Sequence, residues 1–274
     1  MKNILVPIDF SDASLNAISY AAFLANALDS KVSLLHVYSG TSAYDESSEA
    51  TVFDSEEELE AANEVYLKKQ IDIIAGKYTV KIETKVIKGN PENVIRDEAG
   101  KSDVDLIVMG MKGKGQSNSI FGSTSTSMID KTSIPLLIVP FNASYKTIDT
   151  ITLASDFNDE KLSSNFPILQ KFISGFNPFI QILNVQKKNS DLTAKLIAEK
   201  MKIGLQWDKY NYSFNIIEKD DIEEGINNFM ERHPSDLLIM VARKRNFIGK
   251  VLGLSHTREM TGQAKIPLLI FHEA

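Results

Sequence analysis

The chain repeats itself once. Ser133-Ile-Pro-Leu-Leu-Ile138 returns as Lys265-Ile-Pro-Leu-Leu-Ile270, and Asp105-Leu-Ile-Val-Met109 returns as Asp236-Leu-Leu-Ile-Met240. Pro7-Ile-Asp9-Phe10-Ser11 matches Ala154-Ser-Asp156-Phe157-Asn158, and Leu35-His-Val37 matches Leu183-Asn-Val185. The matches keep their order, while their offset falls from about 148 to about 131 residues. The second copy therefore lacks a piece corresponding to Ser39–Asp54, a polar stretch of the first. A two-copy repeat of this length indicates duplicated domains rather than a solenoid. We expect the division at residues 1–145 and 146–274.

Each copy alternates apolar runs with helical patterns. Lys2–Ile8 is a buried-type strand, and Asp12 is a candidate cap for a helix running through Leu28. Lys31–Val37 reads as strand two. Ser55 can cap a long helix to about Ala75, with Glu56–Glu58 in the first turn, where the helix dipole favours acids. Val80–Ile87 reads as strand three, and Asn90-Pro91-Glu92 opens a helix with Pro in its first position. Strands four and five flank a glycine-rich stretch. The second copy repeats this, with strands near 148–154, 178–185, 212–218, 236–241 and 266–271. Alternation of this kind implies an α/β fold: two open parallel sheets with helices on both faces. Ligands of such sheets sit at the carboxyl ends of the strands, where Asp9, Val37 and Gly110 fall together.

The stretch from Gly110 to Thr124 joins a strand to a helix start at Ser123. Glycines let a backbone approach phosphate, and the free amides of a first helical turn point at it. Its spacing is neither the Rossmann GxGxxG nor the Walker GxxxxGK[ST]. A carboxylate at Asp9 can accept from a ribose hydroxyl or an adenine amino group, and the Val37 backbone can read an adenine edge. Ser123 and Thr124 offer hydroxyls beside the helix-start amides, and Lys112 and Lys114 offer charge. His36 reads as a packed residue. In the second copy, Val241 or Ala242 and Lys244 or Arg245 replace Gly110 and Gly113, and Leu254 replaces Gly122. Bulky side chains there would block a phosphate.

Composition removes several classes. The chain of 274 residues has no cysteine, which excludes disulfides, thiolate metal sites and a cysteine nucleophile. Its net charge of −6 argues against general nucleic-acid binding. No apolar run approaches the roughly 18 residues of a membrane span, so no membrane partner and a cytoplasmic location are expected. No histidine and carboxylate spacing suggests a metal site.

The Val-Pro-Ile-Asp9 and Leu-His-Val37 strand ends, Gly110-x-x-Gly113 with Gly122-Ser123, and the Ile-Pro-Leu-Leu-Ile-Val closing strand together resemble the universal stress protein family in its tandem form. Eight residues separate Gly113 from Gly122, one fewer than the family pattern. The resemblance implies a Rossmann-like fold of the adenine nucleotide alpha hydrolase type, with the two domains packed as an intramolecular pseudo-dimer through residues 134–139 and 266–271. That arrangement leaves further homodimerisation open. It also implies an adenine nucleotide, ATP or else AMP or ADP, with Mg²⁺ carried on the phosphates. Pro7, Ile8, Asp9 and Val37 would hold adenine and ribose. Met109, Gly110, Lys112 and Gly113 would line the ribose and phosphates, and Gly122, Ser123 and Thr124 the terminal phosphates. The function so implied is that of a stress-response or regulatory protein that binds the nucleotide in the first domain, with an unknown protein partner. The alternatives are a slow ATPase or a nucleotide-free interaction module.

Overall fold

The structure is a computed structural model that describes residues 1–39, 42–43, 51–52, 55–101, 103–111, 123–143, 147–155, 160–187, 209–242 and 266–272. It divides into two compact units, Met1–Tyr145 and Lys146–Ala274.

The first unit contains β1 (Asn3–Ile8), α1 (Asp12–Leu28), β2 (Lys31–Tyr38), β3 (Ser42–Ala43), β4 (Thr51–Val52), α2 (Glu56–Ala75), β5 (Ile82–Lys88), α3 (Pro91–Ala99), β6 (Leu106–Met111), α4 (Ser123–Lys131) and β7 (Leu136–Pro140). Its sheet is wholly parallel in the order β7-β6-β1-β2-β5. The chain builds outward from β1 to β5, then crosses back to add β6 and β7 on the other side. The strand order therefore reverses between β1 and β6, and a parallel sheet opens a crevice at such a point. β1, the central strand, is buried at every position, as is β7. β5, strand three of the sequence reading, is half-buried at Ile82, Glu83, Val86 and Ile87 and exposed at Thr84, Lys85 and Lys88. The short antiparallel pair β3–β4 lies in the stretch that reads as polar loop.

Local chemistry sets the helix ends. Ser11, not Asp12, caps α1: its side chain accepts from the Ser14 amide, and Asp12 sits in the first turn. Both residue types cap well, and the extended backbone at Ser11 decides between them. Ser55 caps α2 and Asn90 caps α3, ahead of Pro91.

The second unit repeats the topology. It holds β8 (Thr150–Ala154), α5 (Glu160–Phe176), β9 (Phe179–Gln186), β10 (Tyr212–Glu218), α6 (Ile222–Arg232), β11 (Leu237–Ala242) and β12 (Leu268–His272), with parallel order β10-β9-β8-β11-β12. One shared device is a carboxylate just before the fourth major strand. Asp105 Oδ2 accepts from the Lys2 and Asn3 amides at the start of β1. Asp236 Oδ2 accepts from the Asp149 and Thr150 amides at the start of β8, each at 3.0 Å. Two charge-assisted bonds to otherwise unpaired strand-end amides explain why Asp stands at this place in both copies.

Candidate functional site

Where β1 ends, the chain makes a tight left-handed step. Phe10 has φ 57°, an uncommon conformation for a side-chain-bearing residue. Its ring is 4 % exposed and packs against His36, 4.6 Å between centroids, and Tyr66 of α2, 5.7 Å away. Burial of the ring holds the turn in place. The turn sets out Asp9 on the surface side, where Oδ1 accepts from the Ser11 amide at 3.1 Å and the Ser11 hydroxyl at 2.5 Å. Ser11 thus caps α1 and orients the Asp9 carboxylate at once.

Gly110 lies at the end of β6. A Cβ there would sit 2.1 Å from the Ala13 carbonyl oxygen, 2.4 Å from its carbon and 2.9 Å from the Ser14 nitrogen. The first turn of α1 rests directly on the strand at this residue. Packing of α1 therefore demands glycine here whether or not a ligand is present, a reason that the expectation of a phosphate path does not supply. The Gly110 carbonyl accepts from the Ser125 hydroxyl at 3.3 Å, which ties α4 to β6. The middle and end of α4 are also tied to α3, because Glu92 Oε2 accepts from Ser127 Oγ at 2.7 Å and Lys131 Nζ at 2.6 Å.

These elements enclose a cleft of about 270 Å³ at the carboxyl ends of β1, β2 and β6. Of the residues expected at the site, Pro7, Ile8, Asp9, Val37, Met109, Gly110 and Thr124 line it. Ser123 opens α4. Lys112, Gly113, Lys114 and Gly122 lie outside the described residues, as do Asp156, Lys244, Arg245 and Leu254 of the second copy. Ser11, Ala13, Ser14, Leu35, Pro91, Ile95 and Ser125 also line the cleft. For Ser11 the signal was its place two residues after the strand-end Asp. Pro91 and Ile95 were legible as the start of a helix but not as a wall.

The lining is apolar on the sheet and α3 side, through Ile8, Leu35, Val37, Ile95 and Met109, with Asp9, Ser11, Ser14, Thr124 and Ser125 as polar points. The first turns of α1, α3 and α4 all contribute. Helix N-termini carry positive partial charge and attract anions. One carboxylate, a flat apolar wall and converging helix starts suit a molecule with an aromatic end, hydroxyls and an anionic end.

His36 lies beneath the rim. It is buried, and its Nδ1 is 3.0 Å from the Ile8 carbonyl oxygen. A carbonyl only accepts, so the neutral ring carries its proton on Nδ1. Burial pushes the imidazole below its usual range, against the opposing effects of the Ile8 bond and the Asp9 charge. The second unit keeps this bond with a different residue: Asn184 Nδ2 donates to the Ser155 carbonyl at 3.0 Å. There α6 lies against β9, since a Cβ on Gly225 would sit 2.5 Å from Val185 Cγ1. Val185 is the counterpart of the cleft residue Val37.

Among the described residues, no group of three or more His, Asp or Glu side chains could hold a metal ion. No helix among them is long and apolar enough to cross a membrane.

Comparison with known proteins gives this architecture a family. A universal stress protein of Methanocaldococcus jannaschii is 33 % identical over 139 residues, covering 50 % of this chain and 81 % of that protein. Universal stress protein G of Salmonella typhimurium is 28 % identical over 144 residues, covering 50 % of this chain and 98 % of its own length. The crystal structure of a universal stress protein from Archaeoglobus fulgidus superposes with a TM-score of 0.72 at 16 % identity, over 99 % of this chain and 98 % of that one, a likeness of fold. The universal stress protein family profile matches residues 1–140, nearly all of the unit that carries the cleft, and the chain belongs to that family.

Proposed function

We propose that the first unit binds an adenine nucleotide, ATP or one of its lower phosphates, in the cleft between β1 and β6, and that the bound state carries a regulatory signal in a stress response. The observation that carries this reading is the meeting of Asp9, the apolar wall around Val37 and the starts of α1, α3 and α4 in one crevice. Adenine packs on Val37, Ile95 and Met109. Asp9, oriented by Ser11, accepts from ribose hydroxyls. The phosphates run past Gly110 toward Ser123 and Thr124, where the α4 amides and hydroxyls receive them. Gly113, Gly122 and Lys112 belong to the same phosphate segment. A magnesium ion enters with the phosphates, which supply most of its oxygen ligands.

The second unit is read as lacking a nucleotide site. Val241 or Ala242 and Lys244 or Arg245 in place of Gly110 and Gly113 support this, because bulky side chains would block a phosphate. Mass spectrometry of the protein denatured after purification tests the reading. An adenine nucleotide released at no more than one equivalent per chain supports it. A protein that releases none, and takes up none when incubated with ATP, contradicts it.

A further inference from the structure

The two units hold the carbonyl at the end of their first strand with the same hydrogen bond but different chemistry. Ile8 O receives it from His36, and Ser155 O from Asn184, both at 3.0 Å. Asparagine does not titrate and histidine does. His36 touches both sides of the turn that presents Asp9: its nitrogen holds Ile8 and its ring faces Phe10. Phe10 in turn occupies a left-handed conformation that its packing maintains. We propose that His36 is the positioning residue of the cleft, and that its protonation loosens the Ile8–Ser11 rim and makes ligand affinity in the first unit pH-dependent. The inference rests on the nucleotide reading of that cleft and adds its regulation.

The physical cause is burial. Charging an imidazole among apolar groups is disfavoured, so protonation weakens the packing of the ring. The Ile8 carbonyl and the Asp9 carboxylate favour the charged ring, and burial opposes them. From the β1 side, the group acting on His36 is Asp9, exposed and already accepting twice from Ser11. On β2 itself, Tyr38 follows two residues later on the same face, and β5 places Val86 opposite. The buried positions of α2 are Leu59, Asn63, Leu67 and Ile74, which are uncharged, and Tyr66 reaches the cluster through Phe10. A proton added at Nε2 leaves the Nδ1–H bond to Ile8 in place but charges a buried ring, and hydration of that ring draws it away from Ile8 O and Phe10. By reciprocity, a ligand that needs the packed rim drives the proton off.

The test uses the full chain as wild type, as His36→Asn, the substitution that the repeat itself makes, and as His36→Ala. Hydrogen exchange of the ligand-free protein reads the rim, and calorimetry with adenosine reads affinity. Adenosine has no phosphate to titrate across the range. Between about pH 7.5 and about pH 5, protection of the Phe10–Ser14 amides, corrected for intrinsic rates, should fall about tenfold in wild type and by less than about twofold in His36→Asn. Adenosine affinity should fall in parallel in wild type, with proton release at the acid end, and stay flat in His36→Asn. His36→Ala, which loses the bond, should show a loose rim at both pH values. The same pH profile in wild type and His36→Asn overturns the proposal. Absence of both adenosine and ATP binding at about pH 7.5 rejects the nucleotide reading and with it the affinity claim. The exchange arm still decides whether His36 controls the rim.

Discussion

Gly110→Ala separates a packing requirement from a ligand requirement. The added methyl would lie 2.1 Å from the Ala13 oxygen, where ordinary contact begins at 3.4 Å. Relief requires the first turn of α1 to move off β6 by about 1 Å, and the obstacle is backbone, which no rotamer change can clear. That turn also carries Ser11 and Ser14 into the cleft and places Ala13 and Ala17 in the core. Overpacking typically costs 1–3 kcal/mol, and a backbone obstacle puts this case near about 3 kcal/mol. With an m-value of about 2–3 kcal/mol/M for a domain of this size, the urea midpoint of the first unit should drop by about 1 M. Hydrogen exchange read unit by unit is the suitable assay, since two units need not unfold as one transition. Adenosine affinity should fall at least about tenfold, because the rim moves with α1. The second unit supplies a control. Gly225→Ala meets Val185 Cγ1 at 2.5 Å, but that obstacle is a side chain, and alanine gains about 1 kcal/mol of helix propensity. It should change stability by less than about 1 kcal/mol. Gly110→Ala with wild-type stability and wild-type binding would refute the view that α1 packing dictates this glycine.

Asp105→Asn and Asp236→Asn should each destabilise their own unit by about 1–2 kcal/mol, read by denaturant titration with exchange, since each trades a charged acceptor for a neutral one. The His36 imidazole is depressed in the folded chain, so below the unfolded value of 6.5 the unfolded state takes up the proton first. Thermal stability of the first unit should therefore fall as pH drops through that value and level off below the folded one, and His36→Asn should remove that component. Ser11→Ala loses a cap worth about 1 kcal/mol and removes the hydroxyl bond to Asp9 while keeping the amide bond, so both stability and adenosine affinity should fall, whereas Asp12→Ala should leave affinity unchanged. Ser123→Ala should weaken ATP and leave adenosine binding intact, a contrast that calorimetry reads directly.

Much of the fold was legible because the duplicated chain states each strand twice. The closing strands, the Asp before the fourth strand, and the caps at Ser55 and Asn90 were all readable from residue type and spacing. The cap of α1 was missed by one residue because Ser11 and Asp12 are both good caps, and only backbone angles separate them. The reason for glycine at 110 was hidden because Ala13, which forbids a side chain there, lies on a different element far away in sequence. The left-handed turn at Phe10 carries no local signature, since it exists through contacts with His36 and Tyr66. Likewise, nothing in the string Leu-His-Val against Leu-Asn-Val shows that both middle residues serve one hydrogen bond; that needs the register of β1 against β2. Seven of the expected site residues share one cleft because parallel strands bring their carboxyl ends together at the point where strand order reverses.

Calorimetric titration of the full chain with ATP, beside Asp9→Ala and Gly113→Val, addresses nucleotide binding in the first unit most directly. About one site per chain is expected, with affinity reduced at least about tenfold in each variant and the fold intact by circular dichroism. Two equal sites, or two folded variants that bind like wild type, would contradict it.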